Sequence, residues 1–432
     1  MNNIKIIITF FMILTISFIP NTSGLIKNSS EYSKIIYVDD DNINGPWDGT
    51  KKNPYCNIQD AVDIAQRGNK IYVFNGVYNF IKDDESKSII SIFNKNKLTI
   101  IGEDKNSTII EHNSNKFYTI YIKDSNEIII EGFTIFSSFY DGIFIRKSND
   151  CEISGNIFDS ENLECRTGIF VVDCKNIEIS KNIIKNHIDG EGIYYFSVEN
   201  LVINLNKFIN NGCGVRAGFK NNKIINNNFE SNDIGLDLNE GETEVLKNKF
   251  VNNNIGINIS SGNYNIIKEN EIFSNKKFGI IIKIFSDGNQ IFNNEIENNK
   301  IGIKCEDHTK YNMIYNNNFI KNNINAIDNR NSPYYKNYWN YTYEKGGNYW
   351  DDLEGVDIFK GENQNIPGKD NIFDDPYKIS GDNSIFSTED NYPLTEPFEK
   401  NKCSIKKFSF FRNILIRLEN FFESIKTFKA FF

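Results

Sequence analysis

Phe144, Phe170, Tyr194, Arg216, Asp237 and Asn258 follow one another at intervals of 26, 24, 22, 21 and 21 residues. Each stands between two apolar residues, as in Ile143-Phe144-Ile145 and Leu236-Asp237-Leu238. Alternation of this kind marks a strand with one buried face, so the six side chains share the other face. If the strands stack, three flat rings run into an arginine, a carboxylate and an amide, which together are the candidate ligand-binding set. Rings suit the apolar faces of sugars, and Arg216 and Asp237 can bond sugar hydroxyls or a carboxylate. The plainer reading is an aromatic ladder followed by an ordinary cross-strand ion pair.

Catalysis asks for more. Elimination on a uronate needs a strong base, Arg or Lys, beside acidic groups that hold calcium against the substrate. Arg146, Arg166, Asp173 and Asp189 supply these residue types, and Arg216, Asp237, Asp141 and Glu191 are the catalytic candidates. Hydrolysis needs two carboxyl groups at a defined separation. Asp141 and Glu191 both precede a glycine, two repeats apart with Thr167 between them. Two strand spacings put them about 10 Å apart, slightly long for an inverting pair.

The elements that must position these residues come from one repeated phrase. A glycine followed by apolar, variable, apolar occurs at Gly142, Gly168, Gly192, Gly214, Gly235, Gly256, Gly279 and Gly302, with a degenerate ninth copy at Ala326–Asn329. In step with it runs Asn-x-apolar, at Asn156, Asn182, Asn206, Asn227, Asn248, Asn270, Asn294 and Asn317. Each period of 21–26 residues therefore holds three short strands separated by polar turns. Helical repeats need runs of 3.6-residue periodicity that do not fit between these turns, and leucine-rich repeats need leucines that are scarce here. The chain is read as all-β, a single-stranded parallel β-helix with one coil per period. Asn suits its corners in two ways: it tolerates the left-handed conformation, and its amide can bond the equivalent amide on the next coil.

The expected organisation is a signal peptide over 1–24, a cap and first strands over 35–80, coils over 81–332, an aromatic and acidic cap over 333–398, and a tail over 399–432. The first segment has a weakly basic start, an apolar stretch over Ile6–Pro20 and small residues at Thr22–Gly24, which implies export. The tail places Phe411, Ile414, Leu418, Phe421, Ile425, Phe428 and Phe432 at heptad spacing among lysines and arginines. Such a basic amphipathic helix over Lys400–Phe432 can lie on a membrane surface, self-associate or fold back on the solenoid. Seven cysteines leave at least one unpaired, and Cys151 and Cys305 fall in apolar registers. A net charge of −9 excludes nucleic acid as a partner for the whole chain.

Two flanking segments carry a family likeness. Tyr37-Val38-Asp39-Asp40-Asp41-Asn42, Gly45-Pro46-Trp47-Asp48-Gly49-Thr50 and the short helix around Ile58–Ala65 open the fold. Gly347-Asn348-Tyr349-Trp350-Asp351-Asp352, Asp374-Asp375-Pro376-Tyr377 and Asp390-Asn391-Tyr392-Pro393-Leu394 close it. Over roughly 35–397 the chain resembles the NosD-like, pectate-lyase-like group of right-handed β-helix proteins. The resemblance implies a right-handed solenoid whose N-terminal end is covered by the helix. It is specific for fold and leaves activity open, because this architecture carries lyases, hydrolases, epimerases, adhesins and copper-site assembly proteins.

The resemblance also implies a calcium-binding turn in the closing acidic segment, at Asp370, Asp374 and Asp375. Lys369 opposes a cation there and Phe373 hinders a tight turn. Copper, implied by the NosD likeness, wants His, Met or Cys. His112, His187 and His308 are far apart in sequence, and Cys165, Cys174 and Cys213 do not share one stack. The reading that results is an exported cell-surface protein, non-catalytic, that binds extracellular polysaccharide or contributes to the envelope. A polysaccharide lyase or glycoside hydrolase is the alternative, and a copper-site accessory protein the third.

Overall fold

The computed structural model describes residues 34–79, 87–111, 116–160, 167–382 and 384–398. The expected signal segment and basic tail, with Arg166, Cys165 and His112, lie outside the described residues. The rest is a parallel β-solenoid in which each coil contributes three strands. The strand carrying the glycine phrase stacks on its equivalents, as in Gly235-Leu236-Asp237-Leu238 above Gly214-Val215-Arg216-Ala217. The second strand stacks from Ile35–Val38 to Met313–Tyr315 and shares one sheet with the first, while the third forms a separate 12-stranded sheet. Every pairing between coils is parallel, and parallel strands joined by crossovers wind right-handed.

Apolar residues fill the interior in vertical files. Phe208, Phe229 and Phe250 stack at 4.7 and 4.6 Å between centroids, flanked by Ile179, Ile203, Ile224 and Val245, all fully buried. The repeated glycine has a steric cause. A Cβ on Gly235 would lie 2.6 Å from the Gly256 carbonyl oxygen and 2.9 Å from Phe250, so the corner admits no side chain while another coil sits above it.

That cause corrects the ninth copy. Ile303 pairs with Ala326, Lys304 with Ile327 and Cys305 with Asp328, so Asn325, not Ala326, takes the glycine's place. It ends this stack, where no further glycine carbonyl presses on the corner. Asp328 is therefore an inward, buried residue rather than the last member of the outward row. The same stack also continues below Gly142, through Tyr118–Lys123 and Ser88–Phe93, where Thr119 and Ile89 replace glycine.

Asparagine holds the coils in register. In the principal ladder the Oδ1 of Asn227 accepts the backbone N–H of Asn206 at 2.9 Å and its side-chain Nδ2 at 3.1 Å. Asn227 in turn donates to Asn248 Oδ1 through both groups, and to the Ile203 carbonyl. This pattern runs from Asn156 to Asn348. A second ladder runs from His187 through Asn211 to Asn322, and a third through Asn265, Asn289, Asn312 and Asn337. The left-handed conformation falls on the residue before each rung, at Lys181, Leu205, Asn226, Lys247 and Glu269. Both expected roles of Asn occur: the rung Asn supplies the amide, and a second Asn often takes the left-handed corner before it, as at Asn226, Asn293 and Asn316.

The ends are closed from within. Ile58–Ile64 is a helix capped by Asn57 Oδ1, which accepts from Asp60 N at 2.8 Å, and it buries Ile58, Ala61 and Val62. At the other end Trp350 stacks on Phe319 at 4.3 Å and Tyr377 on Trp350 at 4.0 Å, extending the inner aromatic file. Trp339 is fully buried beside them, whereas Tyr334 is 81 % exposed and takes no part.

Replacing Asn227 by Ala leaves two buried donors on Asn206 and one buried carbonyl unpaired. Its unfolding free energy, measured in denaturant, should fall by about 2–5 kcal/mol. Asn254→Ala, where the amide serves only an exposed contact to Asp233, should cost under about 0.5 kcal/mol.

Candidate functional site

The outer face of the glycine-phrase sheet is a grid of three rows, fixed by strand register. The middle row reads Ser91, Tyr121, Phe144, Phe170, Tyr194, Arg216, Asp237, Asn258. On one side lies Ser88, Tyr118, Asp141, Thr167, Glu191, Cys213. On the other lies Phe93, Lys123, Arg146, Val172, Phe196, Gly218. The structure thus brings the expected ligand-binding residues into one line and sets Asp141, Thr167 and Glu191 in order beside it.

Sequence reasoning missed Tyr121, Tyr118, Phe93 and Lys123, because their coils lack the glycine. The available signal was Ile120-x-Ile122, the same two inward positions one period before Ile143 and Ile145.

The rings do not form a flat platform. Phe144 and Phe170 stack at 5.2 Å with 27° between planes, and Phe170 and Tyr194 at 5.0 Å with 3°. Tyr118 and Tyr121 stack on Phe144 from below, at 4.7 and 5.0 Å. Faces meet faces along the solenoid, so the row turns its ring edges outward. Phe144, Asp237 and Asn258 are also buried, which leaves Phe170, Tyr194 and Arg216 as the accessible part of the expected set.

Arg216 joins the rows. Its Nε lies 2.9 Å from Glu191 Oε1 and its Nη1 3.4 Å from Asp237 Oδ2. The Nε contact is an ion pair without an aligned N–H bond. Asn258 Nδ2 donates to Asp237 Oδ1 at 2.7 Å, while its own buried Oδ1 has no partner. Burial works against the guanidinium's charge, but the Glu191 and Asp237 carboxylates outweigh it and raise its pKa above the ordinary arginine value. Arg216 is therefore a fixed cation and a poor base. Cys213 is enclosed beside it, and burial pushes its thiol well above the usual range. Asp141 is buried in the neighbouring row, two rungs from Glu191.

Acids of the closing segment are bonded within the cap. Asp370 accepts from Tyr343 Oη, Gln364 Nε2 and the N–H of Gly361 and Ile372. Although burial raises its pKa, these bonds hold it below the usual carboxylate value. Asp374 accepts from the N–H groups of Ile358 and Phe359, and Asp375 is exposed. Among the described residues no three His, Cys, Asp or Glu side chains converge as a metal site. The calcium expectation at Asp370, Asp374 and Asp375 gains no support, because the first two carboxylates are engaged by the cap's own donors.

Two other acids of this segment, and Asp328 of the last coil, end the amide ladders. Asn348, the last rung of the first ladder, donates its N–H to Asp390 Oδ2 at 2.7 Å, and Trp350 Nε1 donates to the same oxygen at 2.9 Å. Asn337 and Trp339 donate to Asp328. The second ladder passes from Asn322 to Asn325 and then to Asp352 at 2.8 Å.

Fold and site define a capped parallel β-helix with a charged and aromatic outer face. The family model described as periplasmic copper-binding protein (NosD) matches residues 57–255 and 229–355, and the chain belongs to that family. No curated protein matches the sequence. Among solved structures, the A-module of mannuronan C-5 epimerase AlgE4 from Azotobacter vinelandii aligns with a TM-score of 0.53 at 13% identity, covering 69% of this chain and 99% of that one. An alginate lyase from Paenibacillus sp. str. FPU-7 aligns at 0.49 and 13% identity, covering 64% and 99%. At such identities the likeness concerns the fold alone.

The described residues do not fit the copper of the family description. His187 is enclosed with neither ring nitrogen bonded, and burial lowers its pKa to about 4. His308 pairs with Asp307 and packs against Tyr335. Cys151 and Cys174 are buried thiols pushed up to about 12 and about 11, far from the thiolate that binds copper.

The cap gives a pH signature. Burial pushes the Asp390 carboxyl up to about 7, against the donors that surround it. A carboxyl raised in the fold favours the protonated folded state, so its contribution is complete below about pH 4 and lost as pH rises through about 7. His187, depressed to about 4, slopes the opposite way, with stability lost as pH falls from about 6.5 towards 4. The two are separated by difference: melting temperature followed from pH 4 to 8 should fall less with rising pH in Asp390→Asn than in the parent protein. Parallel curves would remove Asp390 from the account.

Proposed function

We propose that the protein is an exported, non-catalytic β-helix that binds an extracellular or envelope glycan along its outer grid. The observation that carries this reading is Arg216, fixed as a cation between Glu191 and Asp237 at the end of the stacked rings. A preformed line of ring edges, guanidinium and carboxylate suits a sugar chain lying along the solenoid, with hydroxyls bonded by the polar end. The family's periplasmic description supports the same compartment.

A lyase or hydrolase is the second reading, favoured by the two carboxylates that meet Arg216. Against it, Arg216 is held as a cation by both carboxylates and is poorly placed to accept a proton. Electrophoretic retardation in gels containing a panel of polysaccharides tests binding. Phe170→Ala and Tyr194→Ala should each weaken retention about tenfold if the rings contact ligand. Retention unchanged in both variants rejects the ring contact. Release of new reducing or unsaturated ends from any retained polymer assigns the protein to the enzymes instead.

A further inference from the structure

We infer that the third row of the grid, Phe93 to Phe196, takes an anionic polysaccharide, with its acid groups on Lys123 and Arg146. The inference rests on the glycan reading above and adds the ligand's charge and the row that reads it.

Lys123 and Arg146 are direct partners on neighbouring parallel strands. Like charges in that position are destabilising unless a counter-charge meets them. Among the described residues neither has a buried counter-charge. Lys123 has one ion pair, to the next residue Asp124 at 3.5 Å, and both side chains are more than two-fifths exposed, a setting in which such pairs contribute little. Arg146 is exposed and makes no ion pair among the described residues.

Charges elsewhere on the grid are already spent. Glu191 and Asp237 are held by Arg216, and Asp141 is buried. The corner row beyond carries Asp124, Lys147 and Asp173. Summed with Lys123 and Arg146 this gives three cations against two anions, so the edge is net positive on a chain of net charge −9. A local excess of that sign faces an anion.

The flanks say what kind. Phe93, 41 % exposed, stands one rung before Lys123, and Phe196, 51 % exposed, stands two rungs after Arg146 with Val172 between. Phe93 meets Tyr121 edge to face at 5.0 Å, so it is not absorbed into the stacked file. The row therefore alternates apolar, cationic, cationic, apolar, apolar over four strand spacings, about 19 Å. A small anion would use only its centre. A polymer whose residues carry both a carbon–hydrogen face and a carboxylate or sulfate uses its whole length.

Lys123→Gln with Arg146→Gln tests this, both sites being on the surface, with circular dichroism as the check on folding. Phe93→Ala with Phe196→Ala is the second variant. Retardation is measured at about 50 mM salt, where surface charges still act at a distance, in gels of polygalacturonate, dextran sulfate and neutral dextran. The parent protein should be retarded by one or both polyanions more than by dextran. The charge variant should lose about tenfold or more of that affinity, and the Phe variant a smaller part. Preference for polygalacturonate or for dextran sulfate assigns carboxylate or sulfate. Equal retardation by dextran, or polyanion binding unchanged in the charge variant, overturns the inference while leaving a glycan-binding protein. No retardation by any glycan overturns both readings. So does binding confined to anionic lipid vesicles and lost in the charge variant.

Discussion

One hydrogen-bonding arrangement underlies the molecule: an asparagine Oδ1 accepting both the backbone N–H and the side-chain Nδ2 of the rung below. It converts each turn of the solenoid, a place where backbone groups would be orphaned, into a satisfied contact between coils. Because every amide faces the same way, each ladder has a polarity. It arrives at the C-terminal end with N–H donors and nothing to receive them. A carboxylate accepts without donating, although at Asp390 burial works against the ionised form. Asp390, Asp328 and Asp352 stand at the three ends, and indole N–H groups of Trp350 and Trp339 share the first two. The placement of Asp352 and Asp390 in the closing segment follows from the direction of the ladders.

Once turns and interior fix the stack, the outward positions are released from structural duty. The middle row changes from Tyr121 and Phe144 to Arg216 and then to Asn258 without altering the register that its inward neighbours set. This freedom lets a grid of chemistry be written along a uniform scaffold, and it explains why a family can share a fold and not a site. Copper chemistry needs ligands that converge, whereas rows of a solenoid run parallel. Cys151, Cys174, Cys213, Cys305 and His187 are buried, and among the described residues no three His, Cys, Asp or Glu converge.

The architecture was legible from sequence because its causes are local and repeated. The glycine period, the inward Ile pairs and the recurring Asn each report one steric or hydrogen-bonding requirement, and all three recur in the structure. Both roles foreseen for Asn are present, the ladder amide at each rung and the left-handed corner at Asn226, Asn293 and Asn316, although Lys181, Leu205 and Glu269 share that conformation. Ala326 was mistaken for the glycine position because smallness is only a proxy for the missing carbonyl contact. Asp141, Glu191, Arg216 and Asp237 were placed correctly on neighbouring rows. What sequence could not give was orientation: that Phe170 and Tyr194 turn faces to each other, or that Asp370 is consumed by Tyr343 and Gln364. Those outcomes depend on residues far apart in the chain.

The central claim is that the stack is held by polar ladders anchored on the terminal carboxylates. Hydrogen exchange read by mass spectrometry, comparing the parent with Asp390→Ala, tests it most directly. Loss of the acceptor should raise exchange most in the peptide holding Asn348, less at Asn317 and Asn294, and not at Asn182. An increase spread evenly over all coils, or none at Asn348, would contradict it.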